Sequence, residues 1–504
     1  MNSRTHKSVN IVKPVLFLIL AAMQIILYVY IIGAVVSAWE GHALFIPALI
    51  ALFVVNFVPV ILSIAIRESN HSVKLSRLAL VLLFPLFGCL WYELFGNGIF
   101  AGRSKAAYQA QLAKNINFLE QDPKIFEELA AQSPVLLGQA SVILNTSGFP
   151  VLKNTRTTLL LGGGDFLRIL VDELKKARKF IFIECGELNQ GTVFNEVFRV
   201  LEDKAQEELE IKLIYDKRAT GSQLPRGFRQ SCRGVGISCH GFGAYGAERN
   251  NRIMIVIDGN VAFSSTVSSL SDDLLDEGVT TYVLRGDAVW SCSVLFMNMW
   301  DALTLTNSDY APYRPTLSYM EGQGYVAVFG DSPANDMRPV RTAYLKMISS
   351  AQSFVYIQTP SLEPDALLEQ TLRLAAASGV DVRIVTAAPA AGALTGQRTR
   401  ASYSRLLESG VKIFEIAEAL DSKALICDDA ACLIATASLD YNSLMRNHEC
   451  AAWIAGDDAV YEARDDFLAL MEDAHEITPR SWRKHTRGFR RIWYAILRAL
   501  APLA

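Results

Sequence analysis

The sequence predicts an α/β protein in which N-terminal transmembrane helices are followed by two duplicated domains, each a mixed sheet flanked by helices. Three observations carry this. The first hundred residues contain long apolar runs, amphipathic helices alternate with short apolar strands from about residue 160, and the alternation returns after Gly330. The expected organisation is a membrane region over 1–100, a connector over 101–159, a first domain over 160–318, a second over 325–490 and an amphipathic tail over 491–504.

The chain has 504 residues, more than one domain ordinarily holds. A net charge of -3 gives no global attraction to nucleic acid, so that partner is not expected. Eight cysteines occur without CxxC spacing, which argues against a zinc site or a disulfide framework and for buried free thiols in a reducing compartment. No metal or cofactor is expected.

Residues 12–36 (VKPVLFLILAAMQIILYVYIIGAVV) and 44–66 are each long enough to cross a hydrocarbon core of about 30 Å. Arg4 and Lys7 precede the first span, Arg67, Lys74 and Arg77 follow the second, and the loop between carries no Lys or Arg. The positive-inside rule puts both outer ends in the cytoplasm. A third apolar run over 75–95, with Pro85 and Gly88 inside it and Trp91 and Tyr92 near its end, either crosses or lies at the interface.

In the soluble part, Phe166, Ile169, Leu170 and Leu174 fall on one face of a helix that leads into a buried strand over Phe180 to Cys185. VFNEVFRVLEDKAQEE and LEIKLIYD repeat helix and strand. RTAYLKMISSAQSFVYIQTP, then ALLEQTLRLAAASGVDVRIVTA, then YSRLLESGVKIFEI run through the same alternation again. Gly379 ends one of those helices, where a residue without Cβ suits a left-handed cap. The Pro-, Tyr- and Gly-rich stretch from Tyr310 to Gly324 separates the halves. GGGD at 162–165 lacks the GK[ST] ending of a phosphate loop.

Each half reaches a strand that ends in aspartate: NNRIMIVIDG with Asp258 and DSKALICDDA with Asp428. These strands resemble the paired HxKxxxxD signatures of the phospholipase D superfamily. More closely, the chain resembles bacterial cardiolipin synthases over nearly its whole length, through FPLFGCLWYELFG, LPRGF, RGDAVW, FGDSP, AQSFVYIQTPSLEPD, AAASGVDVRIV and RALAPL in order. The resemblance implies two phospholipase D-like domains whose motifs meet between the halves, so that Asn251 and Asp421 face each other. In such a site one histidine attacks phosphorus and the second serves as acid and then base, while lysines offset phosphoryl charge.

This sequence departs at the reactive positions. Asn251 stands for the first histidine and Ile253 for the first lysine; Asp421 stands for the second histidine, with Lys423 retained. Ser265, Thr266 and Ser268, and Ala435, Thr436 and Ser438, replace the small residues and asparagine that usually follow each strand, whereas Ser443, Asn447 and Glu449 match. A carboxamide has no useful nucleophilicity near neutral pH, and an aspartate would meet phosphate with like charge. Asp258 and Asp428 are read as hydrogen-bonding to loop backbone. Lys423, Ser438, Ser443, Asn447 and Glu449 are candidates for phosphate or lipid binding, and Glu184 for structural support.

Of seven histidines, His240 and His448 are the two near enough in sequence to merit inspection, and His448 should alternate away from its neighbours. The tail ITPRSWRKHTRGFRRIWYAILRALAPL either touches anionic lipid or packs back on the second half. The resulting expectation is a multi-pass protein of the bacterial cell membrane with cytoplasmic domains. It is read as a pseudoenzyme that binds membrane phospholipid or regulates an active cardiolipin synthase-like partner. The alternative is a diverged phosphatidyltransferase acting on phosphatidylglycerol, with Asp421 as nucleophile.

Overall fold

The computed structural model describes residues 108–500, apart from 222, 244–247, 317–321, 323, 389–393 and 487, together with isolated residues between 61 and 82. The expected membrane spans lie outside the described residues. Among the described residues no helix is long and apolar enough to cross a membrane. Residues 103–498 form one compact unit, and residues 1–102 with 499–504 another.

Two mixed sheets organise the larger unit. The first has seven strands in the spatial order Thr155–Leu161, Thr280–Gly286, Val261–Ser265, Met254–Ile257, Phe180–Cys185, Glu210–Asp216 and Ile237–Phe242. The second runs Tyr325–Asp331, Glu449–Ala455, Ala431–Ala435, Ala424–Cys427, Phe354–Thr359, Asp381–Ala387, Lys412–Ile416 and His475–Ile477. Strand by strand the first seven correspond, with the same parallel and antiparallel pairings; the eighth is an added edge. In each sheet the central strand, Phe180–Cys185 or Phe354–Thr359, pairs parallel on one side and antiparallel with the motif strand on the other. Burial on both faces explains why these strands read as continuous apolar runs rather than alternating ones.

Helices supply the remaining layers. Val289–Thr304 is buried along its length from Val289 to Asp301 because it lies between the sheets. Phe296 stacks on Phe182 of the first sheet at 4.6 Å. Leu295 presses on Gly330 of the second, where an added Cβ would sit 2.4 Å from Leu295 Cδ1. The connector also packs. Helices Pro123–Gln132 and Pro134–Ser147 each begin with Pro after a capping side chain, Asp122 or Ser133. From the second of them Gln139 accepts a hydrogen bond from Trp453 Nε1 at 3.0 Å and donates to Ser350. The first sheet's edge strand begins at Thr155, within the segment expected to be connector.

The two motif aspartates play matching roles in the fold. Asp258 takes a left-handed φ of 52° and Asp428 one of 55°. The Asp258 carboxylate accepts from the backbone N–H groups of Arg178, Lys179 and Phe180 at 2.7 to 3.0 Å. Asp428 accepts from Gln352, Ser353 and Phe354 at 2.7 to 2.9 Å. Each aspartate therefore clamps the turn that feeds the central strand of its own sheet. Replacing either by Ala strands three donors and leaves a Cβ residue at positive φ without the local polar contact that favours Asp and Asn there. Asp258→Ala and Asp428→Ala should each lower stability by about 2 kcal/mol, read as a shifted midpoint of denaturant unfolding. Asp258→Asn, which keeps an acceptor oxygen and the backbone preference, should lose clearly less; equal losses for Ala and Asn would remove the clamp explanation.

Candidate functional site

The segment before the first motif strand crosses to the second half through its backbone. His448 N–H donates to Arg249 O at 2.8 Å, and Asn251 N–H donates to His448 O at 2.9 Å. The segment before the second motif strand does the reciprocal thing: Asp421 N–H donates to Gly278 O at 2.9 Å. This second crossing is so close that a Cβ on Gly278 would lie 2.1 Å from Ala419 O.

Side chains complete the first crossing. Asn250 is fully buried; its side chain donates to Glu184 Oε1 at 2.8 Å and its backbone N–H donates to Asp216 Oδ2 at 2.9 Å. Asn251 Nδ2 donates to Glu449 Oε1 at 2.8 Å. Arg252, also fully buried, donates from Nε to Glu449 O at 3.1 Å and from Nη2 to Tyr108 Oη at 2.8 Å and Asp331 O at 3.1 Å. Its guanidinium lies 3.9 Å from the Glu184 carboxylate. Glu184 thus supports the first motif from the end of the central strand, as its structural reading anticipated.

At the second crossing, Lys423 Nζ donates to Thr266 O of the first half at 2.6 Å and to Asp421 O at 3.1 Å. Ser422 Oγ lies 2.7 Å from Thr280 Oγ1 and donates to Gln358 Oε1 at 2.5 Å. The structure therefore holds Asn251 on Glu449 at one crossing and Lys423 on the Thr266 and Asp421 carbonyls at the other. Glu449 accepts from Asn251 and from the Thr436 hydroxyl, and the Lys423 ammonium is close enough to bias the ionisation of Glu449.

The other candidate positions are placed differently. Ile253 is buried in the apolar core of the first half, its carbonyl taken by Ser264 Oγ at 2.7 Å. Ser438 is buried beside the second motif strand. The Ser443 hydroxyl is bonded to Asp440, and the Asn447 carbonyl to Arg338. His448 is buried between Tyr108 and Phe242 with ring centroids 5.2 and 5.1 Å away. Burial first, helped by Arg252 and Arg338 against the pull of Glu248, lowers its pKa to about 4, so it is neutral. His240 is on the strand Ile237–Phe242, against Arg229 and Trp300.

Burial draws the Lys423 pKa below its ordinary value, opposed by Asp421, Glu449 and Asp440. Its ammonium already donates to two carbonyls. Burial raises Glu449 to about 7, with Thr436, Asn251 and Lys423 acting the other way. The strand correspondence sets Val279 opposite Glu449 in role, so position 421 has an apolar neighbour where position 251 has a carboxyl.

Two similarly wound halves, each sending the segment before its motif strand to the other, frame the site. A family model described as "Cardiolipin synthase, PLD-like domain" matches residues 344–471. A cardiolipin synthase of Geobacillus kaustophilus is 28% identical over 95% of this chain and 99% of its own length. An uncharacterized protein of Streptococcus mutans is 29% identical over 84% of this chain and 95% of its own. The crystal structure of a phosphatidylserine synthase from Haemophilus influenzae Rd KW20 superposes with a TM-score of 0.54, covering 72% of this chain and 100% of that one; at 13% identity it shares the fold. Over nearly its whole length the chain is similar to cardiolipin synthases, and residues 344–471 match the phospholipase D-like domain of that family.

Sequence reasoning did not reach Arg252, Asn250 or Tyr108, and it named Thr266 without its bond to Lys423. The available signal was a charged residue two places before an apolar strand, which demands buried partners. Glu449 supplies a test of the geometry. Its folded pKa of about 7 lies above its ordinary value of 4.5, so the folded state holds a proton that the unfolded state releases between those pH values. That contribution is fully present below about pH 4.5 and is lost as pH rises through about 7. Glu449→Gln should therefore gain stability relative to the parent as pH rises from 4.5 to 8, by up to about 3 kcal/mol. The difference between variant and parent melting curves isolates it from His448, whose neutral burial has the opposite slope. A difference flat with pH would show that Glu449 is ionised in the fold throughout.

Proposed function

We propose that this protein is a catalytically silent, membrane-anchored member of the cardiolipin synthase family that binds phospholipid without transferring it. The observation that carries the reading is the Asn251 amide, which occupies the family's nucleophile position and donates to Glu449 at 2.8 Å. In that place an imidazole would be oriented by the carboxyl and would attack phosphorus. A carboxamide can take the hydrogen bond but has no lone pair basic enough to attack.

The rest of the site supports the same reading. Lys423 is engaged by two carbonyls, Ile253 presents no cation, and Asp421 adds negative charge beside the place a phosphate would occupy. An attack by Asp421 would have to proceed against Glu449 and Asp440 with one depressed ammonium to offset the developing charge. The named relatives that synthesise cardiolipin make phosphatidylglycerol the substrate to test.

Purified in detergent and supplied with phosphatidylglycerol, the protein should form no cardiolipin. Turnover abolished by Asp421→Ala would overturn the proposal. Asn251→His with Asp421→His should remain inactive on its own. The cation missing at Ile253 and the loop groups at Ser268 and Ser438 still leave phosphoryl charge uncompensated, and a single lost donor accounts for roughly 3 kcal/mol of barrier. Adding Ile253→Lys, Ser268→Asn and Ser438→Asn should bring measurable turnover. Robust activity from the two histidines alone would show a pocket still organised for chemistry. Binding is tested separately: phosphatidylglycerol should raise the melting temperature of the parent, and Lys423→Met should reduce that shift.

A further inference from the structure

The last helix, Phe489–Leu500, has two apolar sides and uses one of them in the fold. Inward, Leu497 is buried and Tyr494 stacks on the buried Trp482 at 5.6 Å; Trp482 in turn meets Tyr403 at 5.2 Å. Outward, Ile492 is 58% exposed, Ile496 43% and Trp493 36%. A short soluble helix already anchored through one face has no packing reason to present Ile, Trp and Ile to water on another.

The surroundings continue this surface. Trp493 Nε1 donates to Gln397 Oε1 of the helix Leu394–Ala401 at 2.7 Å, and Leu394 at that helix's start is half exposed. Arg498 lies close enough to Arg405, Glu369 and Glu408 to be influenced by them, which places helices Tyr403–Glu408 and Ala366–Ala377 alongside. On the latter, Leu367 and Leu374, one above the other at a two-turn spacing, are also largely exposed.

Charge decides the occupant. Arg480, Arg483, Lys484 and Arg490, all exposed, lie on or just before the last helix. Of the acidic groups nearby, Glu369 is already paired with Arg405 at 3.2 Å and approached by Arg373 at 3.9 Å, and Glu408 acts on Arg498 of the last helix. Apolar side chains beside a tryptophan, flanked by several cations, match an anionic bilayer surface: aliphatic groups enter below the headgroups, the indole sits among them and the cations meet phosphate. We infer that this face, built around Ile492, Trp493 and Ile496, docks the second half onto anionic lipid. The docking is independent of the motif site and would hold whether or not that site binds lipid.

The test uses the full chain in phosphatidylcholine vesicles with and without phosphatidylglycerol. An environment-sensitive fluorophore is attached at Ile492→Cys, with the parent chain labelled in parallel as background. Docking predicts a blue-shifted emission that is quenched by lipids carrying nitroxide in the acyl chain, and stronger when phosphatidylglycerol is present. Arg483→Glu with Arg490→Glu should reduce the partition constant onto the phosphatidylglycerol vesicles about fivefold for each cation lost, the size of one basic side chain's attraction to such a surface. Both positions are exposed, so an unchanged melting temperature is expected, and weakening of the parent's signal by salt gives a measure that needs no variant. A water-like emission in both vesicle types would overturn the inference. So would a blue shift that nitroxide lipids do not quench, which would assign the face to a second copy of the chain or another protein.

Discussion

A guanidinium taken fully out of water must be given partners or it unfolds what surrounds it, and Arg252 is given partners from every part of the larger unit. Tyr108 comes from the segment before the sheets, Glu184 from the first sheet, and Asp331 and Glu449 from the second. Burial opposes its charge, and Tyr108 and Glu184 hold it protonated. Removing one partner would leave the charge uncompensated, a loss far larger than the bond itself. The two halves are thereby fixed in one relative arrangement, and the reciprocal crossings at Asn251 and Asp421 follow from it. A site assembled from two sheets keeps its geometry because this buried ion does not tolerate sliding between them.

Much of the fold was legible from periodicity. Helices over Phe166–Lys176, Thr192–Gln206 and Ala366–Ala377, and strands over Phe180–Cys185 and Asp381–Ala387, fall where apolar spacing and glycine stops placed them, including Gly379 at a left-handed φ of 94°. The helix Val289–Thr304 was harder to read because it is buried on all sides and so lacks an amphipathic signature. The packed connector was harder still, since its contacts with Trp453 and Ser350 span more than two hundred residues of sequence. At the site, motif spacing located Asn251, Lys423 and the two aspartates. It could not reveal that Lys423 reaches Thr266 or that Asn251 reaches Glu449, because both bonds cross between halves and neither leaves a local pattern.

The site that results is asymmetric in a chemically specific way. Position 251 carries a neutral amide facing a carboxyl, while position 421 carries a carboxylate beside valine. A pair of histidines needs one proton-accepting partner and a positive surround; here the acceptor is occupied by an amide and the surround is largely acidic. Asn251, Thr436 and Glu449 bond one another, and Lys423 is held by two backbone carbonyls, so these groups have partners within the protein itself. Folding and phosphoryl transfer place different demands on the same residues.

The clamps at Asp258 and Asp428 make that separation concrete. Each aspartate lies in a turn at the far end of its motif strand from the position of the missing histidine, and each is occupied with three backbone amides. A substitution at the other end of the strand bears on chemistry, whereas one at the clamp bears on folding, since the chain must close this turn whatever the site does. The final letter of the motif therefore belongs to architecture. A search that scores this aspartate alone would find the fold and say nothing of the reaction.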